Sequence, residues 1–314
     1  MADGRAGTAV ELIESIPYLP HALHRGDRAW IETNCYADLW IEILHAKGLD
    51  PLAMLAFTLC ADFEGDHWTF FKPEFATLRA LYGIEVEELI VWKGLHAAAQ
   101  EQLARGRIVL AEADAFHLPD TAATDYRLRH TKTTIGISNM EGRRCDYFHN
   151  GGSFTLCDED FDAVFAPREL AMYCEFAKFD RMRQLSTAEL RDASYLTLRG
   201  AMTRVPARNP MHEFAARMAA DEVTQQGLEY WNAYAFVSLR QCGAAFELGG
   251  EYLRWLGPAL APAAAACDRI SAGAKALILK GARAANRGRT LDAGDVLSVM
   301  TESWDAAMEL LAVA

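Results

Sequence analysis

Apolar positions recur at helical spacing from Tyr36 through Leu39, Trp40, Ile43 and Leu44, and Gly48 follows as a stop. A second apolar segment runs from Pro51 to Leu59. His67 to Phe71 reads as a strand, Glu74 to Tyr82 as a short helix, and Ile84 to Trp92 as a strand or a helix start. Gly94 to Arg105 returns to helical spacing, and Arg107 to Ala113 has the unbroken apolar character of a buried strand. Two further strands, His130 to Ile137 and Cys145 to Phe148, are joined by Asn139-Met140-Glu141-Gly142, a composition that suits a hairpin turn. Near residue 165 the pattern changes, and only helical signals follow. Ser186 and Glu189 form a capping box, and Asn209-Pro210 is an N-cap followed by a first-turn proline. A broad apolar stripe runs from Leu228 to Trp255, and Pro262 to Ala285 and Asp292 to Leu310 complete the set. The expected fold class is α+β, with a mixed domain over 1–165 and an all-helical domain over 166–314 packed tightly on it.

The chain has 314 residues, 51% hydrophobic and 24% charged, which allows a substantial core. Seven cysteines without paired spacing indicate neither a disulfide framework nor a zinc ribbon, and fit a reducing cytoplasm. Met1 to Thr8 lacks the basic start and apolar core of a signal peptide, and no apolar run approaches the roughly 20 residues of a membrane span. A net charge of −12 argues against nucleic acid as a partner. The charge is uneven: residues 1–180 hold 29 acids and 16 bases, and residues 181–314 hold 14 acids and 15 bases. Between Arg269 and Arg289 there are six basic residues and no acid. Within that run Lys280, Arg283 and Arg287 share a helical face and form a candidate docking surface for an acidic partner.

Cys35 stands where the first amphipathic helix begins. Unpaired backbone amides there gather positive partial charge, an environment that favours a thiolate. A thiol nucleophile needs a base and a group that orients the base. His130, opening a strand, is the expected base, and Asn150, following the adjacent strand and preceding Gly151-Gly152, the expected orienter. Alternation puts His149 and Asn150 on opposite faces, so only one of them can point at the site. Cysteine on a helix start, then histidine, then asparagine or aspartate on successive strands is the chain order of papain-like enzymes. Asn34 is a side-chain candidate for stabilising an oxyanion. Glu112 and Asp114, at the end of a buried-looking strand, are an alternative orienter or an amine-binding acid. No metal is assigned: Asp62, Glu64 and Asp66 lack the glycine and terminal glutamate of an EF-hand loop, and His21 and His24 lack a second pair. No phosphate loop, dinucleotide fingerprint or serine elbow is present.

The runs ETNCYADLW, ADFEGDHWTFFKP, EADAFHLPD, HTKTTIGI and YFHNGG resemble a bacterial family that carries a domain-of-unknown-function label, over nearly the whole chain. More distantly, the first half resembles the papain-like clan of the butirosin-biosynthesis acyltransferase. The matching positions are Cys35, then Asp114 with Phe116 and Pro119, then Tyr126, then His130; Asn150 stands where clan members carry an aspartate. The resemblance implies acyl transfer from a carrier-protein thioester, presented on a phosphopantetheine arm, to a small amine through an acyl-Cys35 intermediate. It also implies an acyl or aminoacyl carrier protein as partner. Two rival readings are a cysteine amidase or peptidase with the same triad, and a non-catalytic partner-binding protein.

Overall fold

The computed structural model describes residues 18–26, 28–167, 172–220 and 222–313. The Met1 to Thr8 segment lies outside them. After a short 3-10 turn, Ala22–His24, comes helix α1 (Cys35–Ala46). Asn34 starts it in extended conformation, its side-chain oxygen accepting the Ala37 amide at 2.8 Å. Residues Tyr36 through Leu44 are all buried, so α1 is a central helix rather than a surface one.

Pro51–Cys60 forms a ten-residue 3-10 helix. The expected strand at His67 to Phe71 is reduced to a two-residue rung, β1 (Phe63–Glu64) against β2 (His67–Trp68). Helix α2 (Phe75–Tyr82), strand β3 (Glu85–Glu88), helix α3 (Leu95–Leu103) and strand β4 (Ile108–Asp114) follow close to the expected positions. Then come β5 (Lys132–Glu141), β6 (Arg144–His149), β7 (Gly152–Cys157), helix α4 (Asp158–Val164) and β8 (Cys174–Lys178). Strands β3 to β8 make one antiparallel sheet in the order β3-β8-β4-β5-β6-β7.

Strand β8 lies inside the sheet, between β3 and β4, although the sequence pattern reads as purely helical beyond 165. The sheet-bearing part therefore runs to Lys178. Helix α1 packs across β5 and β6. Its approach depends on Gly136: a Cβ there would come within 3.1 Å of Leu39 and 3.2 Å of Ile43. Leu39, Trp40, Ile43 and Leu44 are fully buried, and each such side chain contributes roughly 1.5–3 kcal/mol through burial. The opposite sheet face holds a separate, smaller core with Val109, Ile135, Ile137 and Tyr147.

The helical part comprises α5 (Thr187–Met202), α6 (Pro210–Ala219), α7 (Glu222–Gln225), α8 (Leu228–Tyr234), α9 (Arg240–Leu256), α10 (Ala261–Arg287) and α11 (Gly294–Ala312). Both expected caps are present: the Ser186/Glu189 capping box, and the Asn209 side chain accepting the Met211 amide. The stripe from Leu228 to Trp255 is not one α-helix. A five-residue π-helical segment, Ala235–Leu239, separates α8 from α9.

One hydrophobic core runs from α1 and the 3-10 helix through α9, α10 and α11, so the two parts share their interior. The loop leading into Cys35 is fastened to the helical part. The Glu247 carboxylate accepts the amides of Ala29 at 2.8 Å and Trp30 at 3.1 Å, and pairs with Arg28 at 2.8 Å. The Trp30 indole donates to Ser271 Oγ at 2.9 Å and packs against Gly243, where a Cβ would sit 2.2 Å from the ring. No helix among the described residues is long and apolar enough to cross a membrane.

Candidate active site around Cys35

Cys35 is the first residue of α1 and lines a cavity of about 330 Å³ at the junction of the two parts. Thr133 of β5, His149 of β6 and Asn150 border it from the sheet side. Phe236 and Val237 of the π-helical segment, with Arg240 and Gln241 of α9, border it from the helical side. All seven cysteines are free, and Cys145, Cys174, Cys242 and Cys267 are buried. Burial pushes the Cys145, Cys174 and Cys267 thiols up to about 12, which makes them poor nucleophiles.

The histidine at the cavity is His149. It is 1% exposed, and its Nδ1 lies 2.6 Å from Asp120 Oδ2. A carboxylate that only accepts puts a hydrogen on Nδ1, and in the neutral ring Nε2 then carries the lone pair. Nε2 takes a hydrogen bond from Thr133 Oγ1 at 2.7 Å. The other Asp120 oxygen accepts from Tyr147 OH at 2.5 Å. Tyr147 and His149 are two residues apart on β6 and share a face, which is why one carboxylate can hold both. Burial, and then the Asp120 charge, hold the Tyr147 phenol protonated and keep it a donor.

His130 stands elsewhere. Its side chain is largely exposed, it stacks on Phe116 at 4.4 Å between ring centroids, and it is not part of the cavity wall. Its Nδ1 lies 2.6 Å from Asp114 Oδ2. The remaining candidates are distributed as follows. Asn150 borders the cavity in a left-handed conformation, φ 45°, because β6 ends at His149 and the chain turns there. Glu112 pairs with Lys132 at 2.6 Å, and Tyr126 donates to Asp160 at 2.8 Å. The Asn34 amide is committed: it caps α1 and donates to the Phe71 carbonyl at 2.9 Å. A weaker contact, 3.4 Å, runs to Gln241 Oε1, and Gln241 also lines the cavity, its amide nitrogen being a further candidate donor.

Beneath Cys35 lies a buried charged cluster. His24 sits between Asp38, at 3.2 Å, and Glu42, one turn further along α1. Burial alone would lower the His24 pKa; hydrogen bonds to the two carboxylates and their charges outweigh it and raise it to about 9. Asp38 also accepts from the Thr33 amide at 2.7 Å and the Thr33 hydroxyl at 2.5 Å, so the cluster fixes the residues just before Cys35. His21 and His24, considered above as metal ligands, are thus used within the protein: His21 Nδ1 accepts the Leu23 amide at 3.1 Å. Among the described residues no group of three or more His, Cys, Asp or Glu is arranged to hold a metal ion.

Residues 19–179 match the DUF1839 N-terminal domain, and residues 187–313 match the DUF1839 C-terminal domain. The chain belongs to the DUF1839 family. The first match ends one residue past β8 and the second begins at the first residue of α5, so the two family domains coincide with the sheet-bearing and helical parts. Comparison with curated proteins returns no match.

Proposed function

We propose that this DUF1839 member is a cysteine-dependent acyltransferase of papain-like design, with Cys35 as nucleophile, His149 as base and Asp120 as the residue that orients it. The observation that carries this reading is a thiol at a helix start sharing one cavity with a buried histidine whose far nitrogen is held by a carboxylate. A helix bearing the cysteine packed across an antiparallel sheet supports the papain-like comparison. His149 replaces His130 in the role of base, because His130 is exposed and outside the cavity.

In the first step Cys35 gives its proton to His149 Nε2, which exchanges its bond from Thr133. The thiolate adds to the thioester carbonyl of the donor, a C–S bond forms, and the carrier thiol leaves with the proton from the imidazolium. In the second step an amine adds to the acyl-Cys35 carbonyl and passes a proton to His149. The Cys35 C–S bond breaks and the proton returns to sulfur, giving an amide and the free enzyme. Backbone amides at the start of α1 and the Gln241 side chain stabilise the oxyanion in both steps. The donor is the phosphopantetheine arm of an acyl or aminoacyl carrier protein. Hydrolysis differs only in the acceptor, water taking the place of the amine.

The test is intact mass measurement after incubation with acyl-carrier thioesters and no amine. The acyl group is expected on Cys35 and absent in Cys35→Ala, with turnover in that variant below a few per cent. An adduct on Cys60, the other half-buried thiol, would move the nucleophile there.

A further inference from the structure

Among the described residues, Arg240 is the cation at the Cys35 cavity that no carboxylate pairs with. Arg129 and Lys132 also border it, but Arg129 pairs with Asp125 at 2.6 Å and Lys132 with Glu112 at 2.6 Å. Among the described residues no carboxylate lies within ion-pair distance of Arg240, and its Nε is buried with no hydrogen-bond partner. A buried donor left unpaired is costly, and more so when it is charged. Burial holds the guanidinium below the ordinary arginine range, with Asp38, Glu32 and Cys35 acting in the opposite direction.

Two further observations point the same way. One face of the guanidinium is covered by the Phe236 ring, 4.1 Å from its centroid. The stack fixes the plane and leaves the donor edge, which matches the two oxygens of a carboxylate. The second is the π-helical segment Ala235–Leu239 immediately before it. The extra residue per turn rotates α9 relative to α8, and such segments are frequent at functional sites. Here it brings Phe236, Val237, Arg240 and Gln241 to one cavity, and leaves Phe236 and Val237 about half exposed there.

We propose that Arg240 is an anion-recognition residue of the Cys35 cavity and that the acyl acceptor is an amine bearing a carboxylate, such as an amino acid. The acceptor part rests on the acyl-Cys35 reading above; the anion site does not. The donor's acyl end occupies the sulfur and its arm leads outward to the carrier, so the acceptor shares a cavity of about 330 Å³ with the acyl group and must be small. Its amine faces the acyl-Cys35 carbonyl while its carboxylate pairs with the Arg240 edge.

The experiment is parallel alkylation of the full chain with iodoacetate and iodoacetamide, reading Cys35 by peptide mass spectrometry against N-acetylcysteine. The ratio of iodoacetate to iodoacetamide rates at Cys35 is expected to exceed that of the free thiol by about fivefold, the scale of one partly screened charge pair. Arg240→Gln should bring the ratio to the free-thiol value and Arg240→Lys should keep part of it, with melting curves confirming that both variants fold. Millimolar glycine should protect Cys35 in wild type and not in Arg240→Gln, and glycinamide in neither. A wild-type ratio equal to that of the free thiol, or one unchanged in Arg240→Gln, overturns the anion site. Protection by inorganic phosphate but not by glycine overturns the carboxylate assignment. Sluggish reaction with both reagents would sink Cys35 as nucleophile, yet the ratio, measured at that one residue, would still decide the anion site.

Discussion

His149 Nδ1 and Asp120 Oδ2 lie 2.6 Å apart with both side chains almost fully buried, while the other ring nitrogen, Nε2, meets Thr133 Oγ1 at 2.7 Å. This pair and the exposed His130–Asp114 pair have the same 2.6 Å separation. What distinguishes them is that His149 borders the Cys35 cavity.

The first prediction follows from that difference. His149→Ala should lower acyl-transfer kcat by about a hundredfold or more, the usual scale for loss of a general base. Asp120→Asn should cost a comparable factor by presenting the wrong tautomer. His130→Ala should stay within a few-fold of wild type. Should steady-state assays show His130→Ala as the more damaging histidine variant, the base has been misassigned and the exposed pair must swing toward Cys35.

A second prediction concerns Gln241. With the Asn34 amide used for capping and for Phe71, the neighbouring Gln241 amide is the side chain proposed to donate to the oxyanion. Gln241→Ala should reduce kcat by roughly a hundredfold, the scale for one such donor, with little change in thermal stability. Asn34→Ala should instead lower the melting temperature, because it removes a cap worth about 1 kcal/mol and unpairs Phe71 O. Equal kinetic effects with no melting change in Asn34→Ala would return the oxyanion role to Asn34.

The buried cluster beneath α1 makes a pH prediction. The folded-state pKa of His24 is about 9 against an ordinary 6.5, so protonated His24 stabilises the fold. That contribution is complete below about pH 6.5 and is lost as pH rises through about 9. The shift corresponds to roughly 3 kcal/mol, about 1.4 per unit. Denaturant titrations at pH 6 and pH 9.5 should show wild type less stable at the higher pH. The drop should be absent in His24→Gln, which should be destabilised already at pH 6. A wild-type stability that stays flat across this window would contradict the assignment.

The basic run on α10 yields the fourth prediction. Arg283 and Arg287 are exposed, while Lys280 is half-buried and donates to the Asp292 carbonyl at 3.1 Å. Their end of α10 packs against α8: Trp231 donates to Ile278 O at 3.0 Å, and a Cβ on Gly281 would overlap its indole. Helix α8 leads directly into the π-helical wall of the cavity. Arg283→Glu with Arg287→Glu should lower kcat/KM for an acidic carrier protein by about tenfold, through slower association, and added salt should lower wild type in the same direction. A small thioester should react as before. Equal losses for both substrates would mark the surface as structural.

The sequence by itself placed Cys35 at the start of a helix, because the evidence for it is local. Asn34 caps its own helix, and the apolar spacing that follows is read within a dozen residues. The two caps opening α5 and α6 are legible for the same reason, as are the strands around Ile108 and Lys132. The assignment of the histidine had to await the tertiary structure. His149 depends on Asp120, 29 residues earlier in a short helical turn, and no spacing rule connects them. Alternation separated His149 from Asn150 but could not say which sheet face meets Asp120. Strand β8 is only five residues long and carries a buried Glu175, stabilised by Tyr36 OH at 2.5 Å from α1. A lone acid in a short run does not read as an interior strand until its distant partner is in place. The π-helical segment was hidden in an apolar stripe with ordinary helical spacing. Its register change, and with it the presentation of Arg240 to Cys35, is made by long-range packing between α8, α9 and α10, a non-local preference that outweighs the local one.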